Sequence, residues 1–107
     1  MDNRTELHNV LSSILNMRES DGDDHVYYQP PASKKMRYPA IVYSRTGMDV
    51  KRANNMVYSL TPRYEVIVID KNPDSKYVEM VAMLPMCRFV RHYEADNLNH
   101  DVFEIYH

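Results

Sequence analysis

Apolar positions along the chain follow two rhythms, a helical one and a strict alternation. Leu7, Val10, Leu11, Ile14 and Leu15 recur at i, i+3, i+4, i+7 and i+8, which places them on one helical face. The spacing predicts a helix over residues 3–17, with Asn3 as its cap and Glu6 reaching back as in a capping box. Arg18 then suits the negative end of the helix dipole, and His8 falls on the solvent side. Tyr77, Met80, Val81 and Leu84 form a second face of the same kind. Asp74 or Ser75 starts that helix, and Pro85 stops it by pushing Leu84 out of the α region.

Between and after the helices the pattern turns to strands. Residues 63–70 (RYEVIVID) set Val66 and Val68 on one face and Ile67 and Ile69 on the other. Both faces are apolar, so this strand is expected to be central and covered on both sides. HVYYQ (25–29) is a short strand that ends at Pro30-Pro31, where a ladder cannot continue. YPAIVYSR (38–45) is another, with Pro39 near its start, Ile41 and Tyr43 on one face and Ala40, Val42 and Ser44 on the other. MCRFVRHYE (86–94) puts Cys87, Phe89, Arg91 and Tyr93 on one side and Met86, Arg88, Val90 and His92 on the other, if alternation is unbroken. ADNLN (95–99) is a turn, and VFEIYH (102–107) closes the chain as a strand.

Residues 47–61 (GMDVKRANNMVYSLT) fit neither rhythm cleanly. Asn54-Asn55 is a turn signal, yet the stretch reads as too long and polar for a tight hairpin. It is expected to be an extended excursion between two antiparallel strands, of the kind that often carries function in a small domain. The sum is a single α+β domain over 1–107 in the order α-β-β-β-α-β-β. About five strands form a mostly antiparallel sheet with both helices on one face.

Composition narrows the function classes. At 107 residues the chain has the length of one domain, and its formal net charge of -2 argues against a dedicated duplex-DNA binder. The single cysteine, Cys87, cannot form an intrachain disulfide, which fits a reducing cytoplasm. The opening MDNRTELHN has no apolar segment, so no secretory leader is expected, and no apolar run approaches the ~20 residues of a membrane span. Nine tyrosines and eight methionines stand out, and both residue types are favoured at protein interfaces.

The motifs of chemistry are missing. The acidic stretch ESDGDD (19–24) lacks the residue order of a calcium loop, and the histidines show no paired spacing for a metal. His92, His100 and Asp101 could meet across the last hairpin, but nothing in their spacing requires it. There is no G-x-S-x-G, and two glycines do not make a phosphate cradle. Asp70, Asp74, Asp96 and Asp101 all sit near turns, where aspartate is the default residue. Two basic and aromatic groupings, Lys34, Lys35 and Arg37 with Tyr38 and Arg88 and Arg91 with Tyr93, could stack on nucleic acid, against a plainer reading as solvated sheet surface. No enzyme, cofactor or metal is expected.

Four segments carry a resemblance: YYQPP (27–31), YPAIVY (38–43), RYEVIVIDKNPDS (63–75) and MLPMCRF…ADNLNHDVFEIY (83–106). Together they resemble, over most of the chain from about Leu7 to Tyr106, a family of short proteins from the tail-assembly region of long-tailed phages, the tail terminator or tail completion proteins. The closing ADNLNHDVF stretch is the most specific part. The resemblance implies a small α+β subunit of a ring, typically a hexamer, that caps the last layer of the tail tube. Such a ring stops tube polymerisation and presents a surface to the head connector. It further implies tail-tube and head-tail connector proteins as partners, DNA passing through without sequence-specific binding, synthesis in the host cytoplasm and a place at the tail-head junction of the virion. A head-tail joining (neck) protein and a small nucleic-acid-binding accessory protein are the alternatives. The acidic stretch 19–24 looks longer than the family requires. Arg88 and Arg91 are more basic than its pattern, which favours an outer or intersubunit face for that strand. Met48, Asp49, Lys51, Arg52, Asn54, Asn55, Met56 and Tyr58, within the excursion, are the candidate residues for a contact with another subunit or the tube.

Overall fold

The computed structural model describes residues 3–16, 26–30 and 38–107. The acidic stretch 19–24, His25, Arg18 and the basic group Lys34, Lys35 and Arg37 lie outside the described residues. Seven elements follow in the expected order: α1 (Asn3–Asn16), β1 (Val26–Tyr28), β2 (Ala40–Ala53), β3 (Met56–Asp70), α2 (Lys76–Ala82), β4 (Cys87–Ala95) and β5 (Leu98–Tyr106). The strands form one sheet in the order β1-β2-β3-β5-β4. Among the described residues only β1 pairs in parallel, with β2; every other pairing there is antiparallel. The domain is α+β, as its periodicities imply.

The core lies on one face of this sheet. Register aligns Ile41 and Tyr43 of β2 with Val68 and Val66 of β3, and these with Asp101 and Phe103 of β5. Leu7, Leu11 and Leu15 of α1 and Tyr77 and Val81 of α2 close over that face, so both helices share it. Leu7, Leu11, Leu15, Tyr43, Tyr64, Val66, Val68 and Phe103 are all buried. On the opposite face Ala40, Ile69 and Val102 are buried, while Ile67 and Val42 remain half-buried. The central strand is therefore shielded more completely on the helix side than on the other.

Several expectations change in detail, each for a local reason. Asn3 lies within α1 and so is not its cap; the residues before it lie outside the described residues. Ser75 does hold the N-cap position of α2, with extended φ −60° and ψ 128°, but its hydroxyl makes no capping bond and is buried without a partner. The approach to α2 is instead organised by two successive Asx turns. Asn72 N donates to Asp70 Oδ1 at 3.0 Å and Asp74 N to Asn72 Oδ1 at 2.9 Å.

Strand β4 departs from strict alternation. Phe89 pairs with Phe103 and Arg91 with Val102, leaving Val90 as the extra residue of a bulge. Beyond the bulge the phase flips. Phe89 and His92 share the helix face, and Arg91 and Tyr93 share the other. Arg88 stays on the opposite face, where its Nη2 meets Glu104 Oε1 at 3.3 Å across the ladder. Cys87 is half-buried, and burial pushes its thiol pKa up, which leaves it a poor nucleophile at neutral pH.

The largest departure is at 47–61. It is neither a loop nor an excursion but the outer half of a long hairpin. β2 runs on to Ala53, Asn54 and Asn55 make the turn at φ 53° and 62°, and β3 begins at Met56. Two consecutive residues at positive φ define a type I′ turn, whose twist matches that of paired strands, and asparagine tolerates that conformation. The same solution recurs at Asp96 and Asn97, φ 54° and 61°, between β4 and β5. A polar hairpin of this length is stable here because its inner half is clamped in the sheet between β1 and β5.

Candidate interaction surface

Pairing with β5 ends at Arg63, opposite Tyr106. Beyond that point, among the described residues, β2 and β3 continue alone as a two-stranded arm. The principal extents of 50 × 29 × 27 Å reflect this projection, as does a radius of gyration of 14.9 Å where a compact chain of this length has about 13 Å. At the root of the arm Thr46 forms a bulge between Arg45 and Gly47, and near the tip Tyr58 forms another opposite Lys51 and Arg52. Gly47 at the root lies against the flexible guanidinium end of Arg63. A Cβ there would come within 2.5 Å of Arg63 Nη2. Arg63 itself hydrogen-bonds Tyr106 and faces Glu104 and Asp49, which hold its guanidinium more firmly protonated.

Register sorts the arm into two unlike faces. Met48 lies opposite Pro62 and Val50 opposite Leu60, all four on the side that the helices occupy further down the sheet. Asp49 lies opposite Thr61 on the other side, and Lys51 registers on that side as well. Met48, Val50 and Leu60 are exposed at 44%, 41% and 52%, and Met56 at the tip at 72%. A two-stranded ribbon has no second layer in which to bury such side chains, so they stay in solvent unless something covers them.

All eight residues expected at a contact lie on this arm. They are not one patch, however. Met48 and Arg52 register on the apolar face, Asp49, Lys51 and Met56 on the polar one, and Asn54 and Asn55 at the turn, while Tyr58 occupies the bulge. Val50 and Leu60 belong to the apolar stripe and escaped the sequence reading. The signal was there, in the alternation Met48-x-Val50 and Leu60-x-Pro62 on either side of the Asn-Asn turn.

A groove adjoins the root of the arm on its apolar side. It has a volume of about 370 Å³ and is lined by Leu7 and Val10 of α1, Leu84 to Met86 after α2, and the end of β5. His107 N donates to Pro62 O at 3.2 Å, which fixes the end of β5 against the arm. Met86 sits at φ 60°, an uncommon conformation for a long side chain, and is exposed at the groove rim. A smaller depression of about 220 Å³, lined by Asp49, Lys51, Thr61 and Tyr106, shares Met86 with the groove.

Several titratable groups pair with one another or with aromatic rings. His8 does not face solvent; its Nδ1 lies 2.7 Å from the Tyr43 hydroxyl, which also accepts a hydrogen bond from Arg4 Nη1 at 3.4 Å. Arg4 in turn lies over the Tyr28 ring, 4.7 Å from its centroid. His92 Nδ1 and Asp101 Oδ1 do meet, at 2.9 Å, because register places them opposite each other. His100 is turned to the other face, where it stacks on Tyr93 at 4.6 Å. Among the described residues no group of three or more His, Cys, Asp or Glu could hold a metal ion, and no helix is long and apolar enough to cross a membrane.

Tyr43 makes a testable case. Burial pushes its hydroxyl pKa above 10.0, against a smaller opposing pull from Arg4. A phenol raised in this way contributes its stability in full below the unfolded value. It loses that stability as pH climbs from there through the folded value, because the unfolded chain gives up its proton first. Stability is therefore expected to fall above about pH 10. Tyr43→Phe should flatten that alkaline decline and cost about 1 kcal/mol at neutral pH through its lost hydrogen bonds. Urea melts of both proteins across this range check it, and parallel declines would count against the assignment.

No model of a protein family matches this chain, and neither does any curated protein or solved structure.

Proposed function

We propose that this chain is a virion structural protein, a tail terminator whose copies close into a ring on the last layer of a phage tail tube. The observation that carries the proposal is the projecting arm, which presents an apolar stripe, Met48, Val50 and Leu60, outside the domain's own core. A ring subunit needs a heterologous contact of this kind, in which one surface of each copy meets a different surface of the next. The resemblance of 27–31, 38–43, 63–75 and 83–106 to tail terminator proteins supplies the biological setting. Much of that stretch is scaffold: Val66, Val68, Phe103 and Ile105 are core residues. The arm, 47–61, lies between the second and third of these segments.

The experiment is light scattering on the purified protein, alone and with tail-tube protein. A closed ring of about six copies, free or formed on the tube, is the expected result. A ring that binds neck components but not tube protein moves the assignment to head-tail joining. A monomer with no affinity for tube protein removes it, and steeply salt-dependent DNA binding in its place would favour the nucleic-acid accessory reading.

A further inference from the structure

The arm and the groove are both apolar, both open, and present once each in every copy. We infer that the arm of one copy lies in the groove of the next, with Val50 and Leu60 seated against Val10, Leu84 and Pro85. This specifies the subunit contact of the ring proposed above and rests on that reading. A copy's own arm cannot fill its own groove. Its strands continue the ladder from Tyr43–Val66 and Arg45–Tyr64 without a hinge, and the end of β5 is bonded to Pro62.

Charge argues that the occupant is a second copy. From Thr46 to Pro62 the arm carries Lys51 and Arg52 against Asp49 alone, a net charge of +1. With -2 overall, the remainder of the chain stands at -3. An arm of one sign on a body of the other attracts the body of another copy, and the same charges keep arms from meeting arms. Locally, Glu6 is a carboxylate beside the groove, 3.9 Å from His107 at its end. A basic ribbon with one apolar face meets there an apolar floor and an acidic neighbour. Each arm and each groove is used once, so the contact satisfies every copy when the ring closes.

The test uses chains with Cys87→Ser and one new cysteine each, Val50→Cys in one and Val10→Cys in the other. On mixing and mild oxidation, a disulfide dimer containing one of each is expected to dominate over dimers of either chain alone. Leu60→Asp in the otherwise unaltered chain places a charge where the groove would bury it, and should weaken self-association by about thirtyfold or more, as the loss of a hot spot does. Leu60 is exposed in the single copy, so circular dichroism should show the fold intact. Rings that persist in Leu60→Asp with no mixed disulfide would overturn this contact and leave the ring reading standing. A Leu60→Asp ring that has lost only its affinity for tube protein would assign the arm to the tube and equally overturn it. A parent chain that never self-associates, free or on the tube, sinks both.

Discussion

Phe103→Ala is expected to lower the unfolding free energy by about 3–5 kcal/mol. Phe103 has no exposed surface and sits on β5 between Val66 of β3 and Phe89 of β4. Its ring meets that of Phe89 edge-on at 5.6 Å. It is also part of the cluster that α1 and α2 close over. Truncation leaves a cavity bounded by strands on two sides, and strands locked in a ladder cannot move inward to fill it. A domain of this size holds only about 5–15 kcal/mol in total, so the loss is a large share of it. Phe103→Leu keeps most of the volume and should cost clearly less. Urea titration at fixed protein concentration measures both, with an unchanged slope showing that the folded state kept its compactness. A Phe103→Ala loss below about 1 kcal/mol would contradict the packing described.

Removing the arm should have the opposite profile, with assembly lost and folding kept. The register dictates where to cut. Asp49 and Thr61 face each other, so residues 50–60 can be replaced by Asn-Gly to make a shorter hairpin. The excised segment lies beyond the last β5 pairing at Arg63, outside the helix-covered core. The change in stability should stay within about 1 kcal/mol, as for surface changes away from packed features. Light scattering should then find a monomer, and pull-down with tube protein should find none bound. Cutting 49–55 alone is a worse experiment, because it strands the outer end of β3 without partners and invites the register to slip. A shortened chain that still forms the ring and still binds tube protein would show that the arm is not the contact.

Both experiments bear on how far the residues themselves reveal the protein. Leu7, Leu11 and Leu15 mark their helix face, and Val66 and Val68 their strand face, because those periods are written in neighbouring positions. The Asn54-Asn55 signal was legible as a turn, and the segment around it still did not read as strand. Its side chains are polar on one face, and its apolar residues, Met48, Val50, Met56 and Leu60, point to solvent. A pattern that normally reports burial says little about a ribbon that buries nothing in its own domain. His8 was misplaced for a related reason. Its position on the helix looks outward until Tyr43 reaches up from the sheet to meet it.

The order of elements, the α+β class, the two helix faces and the central strand follow from the chain alone, since each depends on residues within a few positions of one another. The sheet order β1-β2-β3-β5-β4, the length of the arm and the groove beside it are decided only in the folded molecule. The bulges at Thr46, Tyr58 and Val90 belong with them. A bulge exists only relative to the strand opposite, and each one reverses which face the following side chains take. The amphipathic arm, and with it the contact surface, is thus set by pairing between strands rather than by any stretch read by itself.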